Sequence, residues 1–79
     1  MITPEQCRAA RSLLKQSQKE LAEAAGLSLR TIQGFESGER VLQSLAMGAV
    51  ERILHSEGIE FITQADWIGV RLRVGGKRS

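Results

Sequence analysis

A nucleophile, a general base and an orienting acid are the least an acyl- or phosphoryl-transfer site needs, and this 79-residue chain supplies few of them. His55 is its only histidine, Asp66 its only aspartate and Cys7 its only cysteine, and no such trio can be assembled from them at plausible spacing. No cluster of His, Cys, Asp or Glu has metal-ligand spacing, and no glycine-rich phosphate loop follows a strand. The chain is therefore expected not to be an enzyme and to take no cofactor. His55, in the last turns of a helix, reads as a surface residue favoured by the helix dipole. What remains is the chemistry of binding. Positive side chains gather at Arg8, Arg11, Lys15 and Lys19 and again at Arg71, Arg73, Lys77 and Arg78. A net charge of +2 argues only weakly for a nucleic-acid partner, so this distribution matters more than the sum.

The elements that must position these groups are well marked. Thr3 is placed to cap a first helix over Pro4 to Leu14, with Pro4 at its first position and Glu5 and Gln6 in its first turn. Cys7, Ala10, Leu14 and Leu13 make its apolar stripe. Ser17 with Glu20 three residues on is a capping box, opening a helix from Gln18 to Ala25 that Gly26 ends. Its inner face is Leu21, Ala22 and Ala25. Ser28 caps a third helix, Leu29 to Ser37, with Ile32 and Phe35 inward and Gly38 as its stop. A fourth, about Ser44 to Glu57, turns Met47, Val50, Ile53 and Leu54 inward and ends at Gly58. The period then drops to two: residues 59–63 and 68–74 alternate around Gln64-Ala65-Asp66, the pattern of a β-hairpin. Val70, Leu72 and Val74 would share one face of it, Arg71 and Arg73 the other.

Length allows one domain with a small core. With 42% apolar and 25% charged residues, the composition fits an ordinary globular domain. No apolar run approaches the roughly 18 residues a membrane span needs, and the chain opens on polar residues. Together with a single cysteine, which allows no internal disulfide, this leads to the expectation of a cytoplasmic protein without a membrane partner. Cys7 is expected to pack as a small apolar side chain.

Two short helices joined by Gly26-Leu27-Ser28 form a helix-turn-helix arrangement. With Ser17-Gln18-Lys19-Glu20-Leu21-Ala22, Thr31-Ile32 and Phe35-Glu36-Ser37-Gly38, the chain resembles the lambda repressor and Cro type of helix-turn-helix regulators, the XRE family, over about residues 4 to 57. The resemblance implies a mostly α fold: a lambda repressor-like bundle of about four helices with a helix-turn-helix, followed here by a C-terminal β-hairpin. The chain is thus expected to divide into a DNA-binding region at 1–57, a hairpin at 58–74 whose apolar side chains are expected to mediate dimerisation, and a basic flexible tail at 75–79. The resemblance also implies a transcriptional repressor that reads operator half-sites in double-stranded DNA as a homodimer.

By the same resemblance, Leu29, Arg30, Gln33 and Gly34 occupy groove-facing positions. Arg30 would donate to a guanine edge, Gln33 pair with adenine and Leu29 meet a thymine methyl. Gly34, unusual inside a helix, fits a backbone that must pass close to DNA or to a neighbour, or plain packing. Gln18, Ser28, Ser37 and Arg40 would hold the DNA backbone. Arg11 and Glu36 stand where the family joins its first helix to the end of its recognition helix by an ion pair. Lys15-Gln16 depart from the family's glycine and large apolar residue, so a non-glycine is expected in a strained turn. The proline expected after Gly38 is also missing. Antitoxins share this helical domain, so the competing reading is a module that grips a toxin protein and autoregulates its operon. A neighbouring toxin-like reading frame would favour it. No room is expected for a separate ligand-sensing domain.

Overall fold

Helix starts follow the capping side chains. In the computed structural model, which describes residues 1–75, Thr3 accepts the Gln6 N–H at 3.1 Å and the Gln6 side chain accepts the Thr3 N–H at 3.0 Å. This reciprocal pair opens α1, Pro4–Leu14. Ser17 and Glu20 open α2, Gln18–Ala25, in the same way. Ser28 accepts the Thr31 N–H to start α3, Leu29–Ser37. α4, Ser44–Ser56, has no side-chain cap.

Left-handed residues end the first three helices. Gly26 (φ 72°) and Gly38 (φ 86°) do so without a Cβ penalty, whereas Lys15 (φ 55°) is the one non-glycine with positive φ among the described residues. The side chain of Gln16, beside it, donates to Glu57 at 3.1 Å. A polar bridge therefore ties the end of α1 to the end of α4 where the family has an apolar contact. Gln16 Oε1 is buried without a partner.

After Gly58 the chain forms β1, Ile59–Gln64, and β2, Trp67–Leu72, antiparallel in register from Ile59↔Leu72 to Gln64↔Trp67. The connecting turn is thus Ala65-Asp66, two residues shorter than the expected strand bounds leave, because Gln64 and Trp67 pair. β2 also stops at Leu72, not at Val74: the residues opposite its continuation, Gly58 and Glu57, form the turn that leaves α4, and Val74 is 85% exposed. A last bond, Arg73 N–H to Gly58 O at 2.9 Å, closes the ladder. The expected basic tail falls at its start on Gly75, and residues 76–79, with Lys77 and Arg78, lie outside the described residues.

One core serves helices and hairpin together. Cys7, Leu21, Ile32, Val50, Leu54 and Ile59 are fully buried, and Phe61, Val70 and Leu72 pack against them. Leu13, expected in the α1 stripe, is 44% exposed, because Cys7, Ala10 and Leu14 already fill the inner face and it falls to one side of them. Gln6, also buried, fastens the hairpin to α1: its Nε2 donates to the main-chain oxygens of Ile62 (3.2 Å) and Gly69 (3.0 Å). The loop after Gly38 is fixed without a proline. Leu42 enters the core while Val41 stays exposed, and the N–H groups of Glu39 and Arg40 both bond to Gly34 O. No helix among the described residues is long and apolar enough to cross a membrane.

Candidate nucleic-acid interface

Helical spacing puts Ile32 and Phe35 on the inner side of α3 and leaves Leu29, Arg30, Gln33 and Ser37 exposed on the outer side, with Gly34 half-buried between them. Beside that face lies a shallow, polar concavity of about 440 Å³, lined by Arg30, Gln33, Gly34, Ser37, Glu39 and Arg40. Arg40 reaches this surface from the loop after α3: its Nη1 donates to Thr31 Oγ1 at 3.3 Å. Ser28, at the head of α3, shares a hydroxyl hydrogen bond of 2.8 Å with Thr31, and Ser37 Oγ donates to Gly34 O at 3.1 Å.

The other end of α3 is held by a buried carboxylate. Glu36 is 3% exposed and accepts from Arg11 Nε and Nη2, both at 2.7 Å, from Gln18 Nε2 at 2.9 Å and from the Cys7 thiol at 3.1 Å. Burial pushes this carboxyl up, and the bonds from Arg11, Gln18 and Cys7 outweigh it, leaving the group below its ordinary value. Burial and the bond to Glu36 raise the Cys7 thiol far above its usual range, so it stays protonated as a donor and is no nucleophile. Arg8 donates to the main-chain oxygen of Glu36. That oxygen would otherwise be an orphan of the helix end, since the Arg40 N–H goes to Gly34 O instead. α1 thus grips α3 through two arginines one turn apart.

The candidate residues therefore fall into two groups. Leu29, Arg30, Gln33, Gly34, Ser37 and Arg40 come together on one surface, while Arg11, Gln18 and Glu36 meet beneath it. Ser28 sits at the head of α3, its hydroxyl engaged in the cap. Gln18 is half-buried with its amide turned to Glu36, and of the main-chain N–H groups that open α2 that of Glu20 goes to Ser17 Oγ, while those of Gln18 and Lys19 have no partner among the described residues. Sequence reasoning missed Arg8, Gln6 and the donor role of Cys7. Of these only Arg8 left a trace, its three-residue spacing from Arg11. His55 is exposed, its Nδ1 3.2 Å from Ile59 O. Among the described residues no group of three or more His, Cys, Asp or Glu is placed to hold a metal.

Two capped helices on a three-residue turn, the second packed on one side only, are matched by the family model described as Helix-turn-helix over residues 8–57. The chain belongs to the Cro-type, XRE helix-turn-helix family. A comparison with curated proteins finds no match. The XRE match covers α2, α3 and α4 whole and stops before the hairpin. Membership makes the protein a DNA-binding regulator of transcription.

Proposed function

We propose that the protein is a homodimeric repressor that reads operator half-sites in the major groove with the outer face of α3. The exposed, polar face of α3, continuous with Arg40, is the observation that carries this reading. On it, Arg30 donates to guanine, Gln33 pairs with adenine and Leu29 meets a thymine methyl, with Gly34 among them on the groove-facing side. Gln18, Ser28, Ser37 and Arg40 hold phosphates on either side, Gln18 with the groups that Glu36 leaves free.

Selection of duplexes from a random library tests the reading, followed by three variants. Arg30→Ala should cost about 1–3 kcal/mol on the selected duplex and relax preference at one position per half-site. Gln18→Ala should weaken all sequences by a similar factor, and Arg40→Ala should make the salt slope shallower by roughly one unit per half-site. Uniform weakening by Arg30→Ala would place Arg30 on the DNA backbone. Failure to enrich any duplex would move the reading toward the toxin-gripping module.

A second copy is required because one helix-turn-helix covers a single half-site. The hairpin offers Trp67, 73% exposed, and Ile68, 53% exposed, as apolar surface for it. Sedimentation should give a dimer at micromolar concentration, with Trp67 fluorescence shifting to the blue on association. A monomer with and without DNA contradicts the dimer, and an unchanged Trp67 spectrum in a dimer removes the hairpin from its interface.

A further inference from the structure

We infer that Gly34 and Arg40 act as one unit of the DNA-facing surface: the absent side chain at 34 is a notch in α3 that seats Arg40 and carries its guanidinium onto the reading face. The inference rests on the reading of that face as the DNA-binding surface. A Cβ built on Gly34 would lie 3.2 Å from Arg40 Cβ, 3.4 Å from its Nε and 3.6 Å from its Cδ. The three atoms nearest to it all belong to Arg40. The Arg40 side chain runs along α3 from position 34 back toward Thr31, where its Nη1 is bonded. The loop cannot easily yield, because Gly34 O accepts the N–H groups of both Glu39 (2.9 Å) and Arg40 (3.1 Å). No carboxylate pairs with Arg40 among the described residues, so its charge is available to a phosphate oxygen of the duplex.

Glycine weakens a helix interior, and at an exposed position alanine would ordinarily be the better residue. Here the added methyl would lie 3.2 Å from the first side-chain carbon of Arg40, tighter than an ordinary contact, so that side chain must give by a few tenths of an ångström in its seat against the helix. The uncharged change Gly34→Ala should therefore act on DNA binding as though a charge had been removed.

The test is a double-mutant cycle on the duplex selected by the wild-type full chain, with affinity measured across a salt series. Gly34→Ala and Arg40→Ala should each lose roughly tenfold in affinity and flatten the salt slope by about one unit per half-site, the loss of one phosphate contact. The double variant should be no weaker than either single one. Wild-type affinity and slope in Gly34→Ala, or losses that multiply in the double variant, would overturn the notch while leaving Arg40 as a DNA contact. Wild-type binding by Arg40→Ala would overturn the notch together with the reading of Arg40 as a contact.

Should Gly34→Ala fail to melt cooperatively, Thr31→Val removes the hydroxyl that accepts from Arg40 and serves in its place. It should weaken binding several-fold in the wild-type background and not at all beside Arg40→Ala. An equal loss in both backgrounds tells against the seating of Arg40.

Discussion

Glu36→Gln should lower the folding free energy by about 3 kcal/mol, while Glu39→Gln, three residues on, should change it by less than about 0.5 kcal/mol. The two residues differ in surroundings alone. Glu36 is buried and receives two bonds from Arg11 and one each from Gln18 and Cys7, whereas Glu39 is exposed. An amide at 36 can accept on one side only and turns an N–H₂ toward donors, so part of the Arg11 guanidinium is left half-buried without a partner. The pH dependence has a definite sign. The folded carboxyl lies below its ordinary value of 4.5, so its contribution is complete above that pH and is lost as the pH falls through the folded value. Urea melts of both variants at neutral pH, repeated toward acid, check this. Equal stabilities of the two variants, or a wild-type advantage over Glu36→Gln that grows toward acid, would sink it.

Gln6→Glu, nearly isosteric, should cost more than about 3 kcal/mol at neutral pH. The native amide is 2% exposed and uses both ends: Oε1 accepts the Thr3 N–H at the head of α1, and Nε2 donates to the main-chain oxygens of Ile62 and Gly69. A carboxylate keeps the first bond and sets an unpaired negative charge against two carbonyl oxygens. Burial and those acceptors favour its protonated form, which can donate once. Its folded pKa is then raised, so the penalty is small below about 4.3, the unfolded value, and grows as the pH rises. This is the reverse of the wild-type Glu36 behaviour, and the two trends separate in one pH series. The hairpin should loosen first, giving Trp67 a changed emission before the helices melt. A variant as stable as wild type at neutral pH would show that Gln6 is not the fastener of the hairpin.

Local chemistry settled the elements before any tertiary contact was considered. Thr3, Ser17 and Ser28 satisfy helix-start N–H groups three residues away, and Gly26 and Gly38 take left-handed conformations that need no distant partner. The outer face of α3 follows likewise from its 3.6-residue period, and so does the change of period after Gly58. Tertiary structure alone decided where side chains with two possible uses were spent. Gln6 fits a capping box wherever its helix stands, but its partners at Ile62 and Gly69 lie 56 and 63 residues along the chain. Cys7, legible only as a small apolar residue, becomes a donor because packing brings it to Glu36, 29 residues away. Arg8 was one cation among many until the end of α3 presented a carbonyl without a donor. Leu13 lay within reach of the apolar stripe, and packing left it outside. The strand after Arg71 ran on in pattern to Val74 and stopped at Leu72 because the residues opposite, Gly58 and Glu57, are spent on the turn out of α4. Gly34, open in sequence to a near helix, near DNA or plain packing, has as its neighbour a loop arginine. A hydrogen-bonding or apolar side chain declares its capacity in the sequence, but its partner is fixed by which distant segment the core draws alongside it.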